Sequence, residues 1–151
     1  NECYSEFTFS GIRESLYEHC IKAMRCSYKT GKHLLPLMGT GDWNDSFDMV
    51  GYMGKGESVW LGMFMRYVFS EFAKICDLRK DTDIRDELLL RADRLSQAID
   101  ECAWNGKWYI RAFYDDGSPL GDEGAEACEI DLLCQAWASL SRMPHKDRVS
   151  A

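Results

Sequence analysis

The sequence predicts an all-α fold class with one short β-hairpin. Three observations carry this. Four stretches repeat their apolar residues at helical spacing, a glycine-rich segment over residues 31–56 interrupts them, and a short alternating run, Trp108 to Tyr114, ends at the turn signal Asp115-Asp116-Gly117. A length of 151 residues with 46% hydrophobic and 13% aromatic content is enough for one domain with a real core.

Residues 1–10 read as an extended lead-in. Glu14 to about Tyr28 reads as a helix with Leu16, Cys20, Ala23 and Met24 on its inner face, and Gly31 suits its end. Residues 31–56 hold six glycines and one proline, a long irregular loop of the kind that carries function. Glu57 to about Cys76 is a strongly apolar helix whose Trp60, Met63, Phe64 and Val68 cover more than one face, so deep burial is expected. Glu57 at its start suits the helix dipole. Thr82 or Asp83 can cap the next helix, which runs to about Cys102 on the stripe Leu88, Ala92, Leu95 and Ile99. Glu126 to about Ser141 is the last helix, with Asp131 and Gln135 as a polar pair one turn apart, and Pro144 to Ala151 is a polar tail expected to fray.

The net charge of −7, with Lys and Arg scattered, offers no basic stripe for nucleic acid. No apolar run is long enough to span a bilayer. The seven cysteines form no CxxC pair, and most fall at helical positions among apolar neighbours. Reduced core thiols and a cytoplasmic location are therefore expected, with no metal site.

The densest chemical signal is Gly39-Thr40-Gly41-Asp42-Trp43-Asn44-Asp45, which follows the apolar run Leu34-Leu35-Pro36-Leu37-Met38. An aromatic face beside a carboxylate suits sugar cleavage: the ring stacks on a pyranose and the acid protonates the glycosidic oxygen. The structural alternative is an Asp/Asn turn with Trp43 as a core plug. Downstream come Gly54-Lys55-Gly56-Glu57-Ser58-Val59-Trp60-Leu61-Gly62 and a run from Ala103-Trp104-Asn105-Gly106-Lys107-Trp108 to Leu120-Gly121.

Together these strings resemble the inverting β-glycoside phosphorylases, a family that includes cellobiose and chitobiose phosphorylases and the phosphorylase-like domain of cyclic β-1,2-glucan synthases. The resemblance runs from about Leu16 to Ile130-Asp131 and Gln135-Ala136-Trp137. It implies that residues 1–151 are an internal slice of an (α/α)6 barrel, a partial catalytic domain of a larger glycosyltransferase. The implied reaction is reversible phosphorolysis of a β-linked glucoside, disaccharide or oligosaccharide, to sugar 1-phosphate with inversion. Inorganic phosphate is the co-substrate and no cofactor is needed; the full-length enzyme is a possible homodimer.

By position, Asp45 matches the family's general acid and Trp43 its residue at the donor sugar. To serve as acid, Asp45 must hold a proton, which partial burial against Trp43 and Phe47 would favour. Thr40 falls close to the acceptor sugar. Arg111 and Tyr109 are candidates for the acceptor side, with a structural tie as the alternative. Asp42 is expected to hold the loop through backbone N–H groups. The family's phosphate-binding residues find no match here, so the chain by itself is expected to be inactive. Three positions depart from the family pattern: Ser46 for Gly after the acid, Asp48 for Asn, and Leu34 for Gly. A leucine at Leu34 strains the loop if that position needs a positive φ. The competing reading is a cyclic β-1,2-glucan synthase domain, or a truncated, non-catalytic helical module.

Overall fold

A computed structural model describes residues 6–148; Cys3 and the outer ends of the expected lead-in and tail lie outside the described residues. Among the described residues, four α-helices and a small antiparallel sheet of three strands build the molecule. Helix α1, Leu16–Ser27, starts at a capping box: Glu18 N–H donates to Ser15 Oγ, and Ser15 N–H donates back to the Glu18 carboxylate at 2.7 Å. Its inner face is displaced from the expected one. Ile21 and Met24 are buried, whereas Leu16 is 80% exposed and Ala23 faces solvent. The aromatic bulk decides the rotation, since Tyr17 stacks on Phe72 with centroids 5.5 Å apart and its hydroxyl donates to Asp81 Oδ2 at 2.9 Å.

Helices α2, Val59–Arg79, and α3, Thr82–Cys102, form a hairpin across Lys80-Asp81. Lys80 takes the left-handed conformation at φ 61°, and Asp81 caps α3 by accepting from Ile84 N–H. The α3 stripe Leu88, Ala92, Leu95 and Ile99 is buried as expected. The expected start of α2 at Glu57 is corrected. Ser58 is the N-cap, with extended backbone and Oγ accepting from Leu61 N–H at 3.1 Å, so the chain before it is a strand.

That strand, β1 (Glu57–Ser58), pairs with β2 (Ala112–Phe113), which pairs in turn with β3 (Pro119–Leu120). The hairpin is thus shorter than the alternation predicted; it turns through Asp115-Asp116-Gly117, with Tyr114 N–H donating to Ser118 O at 2.8 Å. Helix α4 spans Leu132–Leu140 and does not begin at Glu126. Asp131 is its N-cap, with extended backbone and its side chain accepting from Leu133 and Cys134 N–H, so residues 126–130 lie outside the helix.

Two larger apolar clusters fill most of the interior. One joins Leu35, Val59, Met63, Ile99, Tyr109 and Cys134 beside the sheet; the other joins Ile21, Met24, Met65, Phe69, Leu88 and Leu95 between α1 and the hairpin. Arg66 bridges α2 to its neighbours, donating from Nε to Ser96 Oγ and from Nη1 to Ser141 O. Burial of α2 is less complete than expected, with Phe64 37% and Tyr67 38% exposed. The described cysteines are all free, but only Cys76 and Cys134 are buried, and Cys26 on α1 is exposed. Among the described residues, no helix is long and apolar enough to cross a membrane.

Candidate functional site

The glycine-rich segment is pinned before it reaches the Trp43 motif. Leu37 N–H donates to Lys29 O and Met38 N–H to Gly56 O, both at 2.8 Å. Gly56 is required at that crossing, because a Cβ there would sit 2.4 Å from Val50 O. Behind it lies Glu57, 1% exposed, which accepts from His33 N–H at 3.0 Å and Leu35 N–H at 3.1 Å. The His33 ring, its Nδ1 2.6 Å from Glu57 Oε2, stacks on Phe113 at 3.9 Å. Glu57 is therefore a buried anchor for the loop rather than a helix-dipole residue. Between His33 and Leu35 the backbone turns through Leu34 at φ 61°, the strained position anticipated for a leucine, at a cost of about 1–2 kcal/mol.

On the opposite flank Asp115 clamps the second glycine turn. Its carboxylate accepts from Met53 and Lys55 N–H at 2.7 Å and from Gly56 N–H at 2.9 Å. Burial pushes this carboxyl up, and the three amide donors more than offset it, holding it below the ordinary carboxylate range. A satellite core of Met38, Val50 and Ala112, with Phe47 and Leu120 packed against it, seats the loop on the sheet.

Between these anchors runs the motif. Asp42 is not a solvent-facing carboxylate; its side chain is 1% exposed and paired with Arg111, whose side chain is 0% exposed. Asp42 Oδ1 accepts from Arg111 Nη2 and from Asn44 N–H, and Oδ2 accepts from Ser58 Oγ–H at 3.1 Å. Asn44 caps a 3-10 turn, Asp45–Phe47, its Oδ1 accepting from Ser46 N–H and from the Ser46 hydroxyl at 2.7 Å. The turn projects two groups outward. Trp43 is 73% exposed, its ring 6.4 Å from that of Trp60, and Asp45 is exposed at the turn's first residue.

Trp43, Asn44 and Asp45 form one side of an open cleft of about 510 Å³, and Arg111, Asp131 and Leu133 complete its lining. Trp43 is not a core plug here. Asp45 lacks the partial burial expected of it; its side chain stands free on the turn instead of packing under Phe47. Arg111 forms part of the cleft wall from a buried position, and Thr40 is exposed on the approach, outside the lining. Tyr109 is fully buried, its hydroxyl donating to Asp100 Oδ1 at 3.0 Å; burial and then the Asp100 charge push it up to about 12.

Asp131, in the cleft wall, and Gln135, outside it, do more than form the polar pair expected of them, in which Gln135 Nε2 donates to Asp131 O at 3.1 Å. Asp131 caps α4 by accepting from Leu133 N–H at 2.7 Å, and its Oδ2 lies 3.5 Å from Arg111 Nε. Gln135 clamps the Tyr109 backbone, donating to Tyr109 O at 2.7 Å and accepting from Tyr109 N–H at 3.1 Å. The sequence reading missed Ser58 and Leu133 altogether. Ser58 was legible as the N-cap type directly before an apolar helix; Leu133 carries no local signal. The arrangement offers a stacking face and an unencumbered carboxyl on one hydrogen-bonded turn, which suits a sugar ring and its glycosidic oxygen.

Comparison with known proteins fits this geometry. Residues 3–151 match the catalytic domain of the glycosyl hydrolase 94 superfamily. The chain is 37% identical over 134 residues to the cyclic beta-(1,2)-glucan synthase NdvB of Rhizobium meliloti (strain 1021), covering 88% of this chain and 5% of that protein. It is 35% identical over 144 residues to the 3-O-beta-D-glucopyranosyl-beta-D-glucuronide phosphorylase of Paenibacillus borealis, covering 93% of this chain and 19% of the relative. The cellobionic acid phosphorylase of Neurospora crassa is 33% identical over 133 residues, covering 87% of this chain and 17% of the relative. The chain thus spans a fifth or less of the length of these relatives. It belongs to the glycosyl hydrolase 94 superfamily.

Proposed function

We propose that this member of the glycosyl hydrolase 94 superfamily is part of a glycoside phosphorylase, a partial catalytic domain within an (α/α)6 barrel. The reaction is phosphorolysis of a β-linked glucoside with inversion, giving a sugar 1-phosphate. The observation that carries it is the exposed pair of Trp43 and Asp45 on one anchored turn at the mouth of the cleft. Trp43 stacks on the donor sugar, Asp45 protonates the leaving oxygen, Thr40 borders the acceptor side with Arg111 buried in the wall behind the turn and out of reach of the sugar, and phosphate attacks from the opposite face. Because phosphate is itself the nucleophile, a single carboxyl acid suffices, and no second carboxylate is needed to activate water. Relatives named as phosphorylases support this reading. The similarity to a cyclic glucan synthase keeps a phosphorylase-like domain of such a synthase as the second reading.

The test is a panel of β-linked disaccharides incubated with the full-length protein and inorganic phosphate. Phosphate-dependent release of sugar 1-phosphate is the expected result. Phosphate-independent hydrolysis, or no turnover of any member, would count against a phosphorylase.

A further inference from the structure

The three sequence strings that mark this chain converge on one buried node: Asp42 from the first, Ser58 from the second and Arg111 from the third. We infer that Arg111 is a positioning residue for Asp45, acting through Asp42; this rests on the reading of Asp45 as the acid. Among the described residues, the Asp45 side chain has no hydrogen-bond or ion-pair partner, so its placement is inherited from the turn that carries it. Arg111 grips that turn at both ends. At the start, its Nη2 donates to Asp42, whose Oδ1 accepts from Asn44 N–H at 3.1 Å, directly before the acid. At the end, its guanidinium lies 4.9 Å from the centroid of the Phe47 ring. Trp60 flanks it 5.8 Å away, and Ser58 Oγ accepts from Nη1 at 3.2 Å while capping α2.

The node therefore transmits the position of the sheet and of α2 to the acid. Paired strands place Ser58 opposite Ala112, beside Arg111. The guanidinium is suited to this because it is a planar fork that donates in several directions while its faces lie against aromatic rings. A lysine would supply the charge without the fork.

The experiment uses the full-length protein with inorganic phosphate and two substrates. One is an unactivated β-linked disaccharide, whose leaving sugar needs a proton; the other is a 2,4-dinitrophenyl β-glycoside, whose leaving group does not. Arg111→Lys should lose about 10²-fold in kcat/KM on the disaccharide, the cost of a misplaced acid, and less than about 3-fold on the aryl glycoside. Asp42→Asn should show the same selectivity, and the double variant should be no worse than the poorer single one. An equal loss on both substrates, or losses that multiply, would overturn the inference and leave Arg111 a structural bolt. Asp45→Asn run beside them separates the two claims. If it loses selectively and Arg111→Lys does not, the positioning role alone fails; if it shows no selectivity, the acid reading fails with it. Should Arg111→Lys not fold, Asp42→Asn carries the same comparison, with the same outcomes for and against.

Discussion

At the scale of single residues, the chain separates groups that work outward from groups that hold. Trp43 is the clearest of the first kind. A side chain 73% exposed in a core-forming residue type contributes little to folding. Trp43→Ala should therefore leave the denaturation midpoint nearly unchanged, within about 0.5 kcal/mol, while raising KM for the donor sugar. A loss of about 3–5 kcal/mol in equilibrium melting, the cost of a deleted core aromatic, would contradict this placement. Asp42 and Glu57 belong to the second kind. Both are acidic residues in or directly after the glycine-rich segment, and a sequence shows nothing in such residues to separate anchor from reagent. What separates them here is partnership over long sequence distance, with Arg111 and with the His33 and Leu35 amides. The motif was legible in the sequence because it is local; the Asp42–Arg111 pair was not, because its partners are joined only by folding.

At the scale of elements, apolar stripes located the helices, while their N-caps at Ser15, Ser58, Asp81 and Asp131 went unread. Helix α3 kept its end and its stripe, since Leu88, Ala92, Leu95 and Ile99 follow one period, but its cap is Asp81 and not the expected Thr82 or Asp83. The start of α4 was misplaced because residues 126–130 hold no glycine or proline to mark the break, and the cap at Asp131 went unread. Strand β1 was absorbed into α2 because two extended residues leave no periodicity to read. Helix α1 is docked on α3 by charge as well as by apolar packing. Arg25 Nε donates to Glu87 Oε1 at 3.1 Å, and Nη2 to Oε2. The Arg25 hydrogen bond, aided by Arg91, holds the Glu87 carboxyl below its ordinary range against partial burial. A depressed carboxylate contributes stability that is full above the unfolded value of about 4.3 and fades as pH falls through the lower folded value. Glu87→Gln should therefore lower the melting temperature near pH 7, and the gap to the parent should close below about pH 4. A gap that persists unchanged at pH 3 would show that the pair holds α1 by shape and not by charge.

At the scale of the whole molecule, the described residues leave an apolar surface in the open. Phe64, Tyr67, Leu132 and Leu140 are 37%, 38%, 80% and 59% exposed, and Trp60, Phe64, Tyr67 and Trp137 form one run of ring contacts there. An apolar patch of that kind drives association. Expressed alone, the 151 residues should elute as an oligomer or aggregate on sizing chromatography and should release no sugar 1-phosphate. A monodisperse monomer would contradict the reading of this surface as a face made to be covered. The described residues do not supply the burial around Asp45 that the sequence led one to expect.

The central claim is that the Asp45 carboxyl delivers the proton to the leaving sugar. Asp45→Asn keeps the size of the side chain and removes the acid. Initial rates of phosphate-dependent sugar 1-phosphate release should be compared for parent and variant on an unactivated β-linked disaccharide, using full-length protein and matched folded concentrations. A fall of about 10²–10⁴-fold or more, with the melting temperature unchanged, is the predicted result. Parent-like turnover by Asp45→Asn would contradict the assignment and leave the exposed turn without its chemistry.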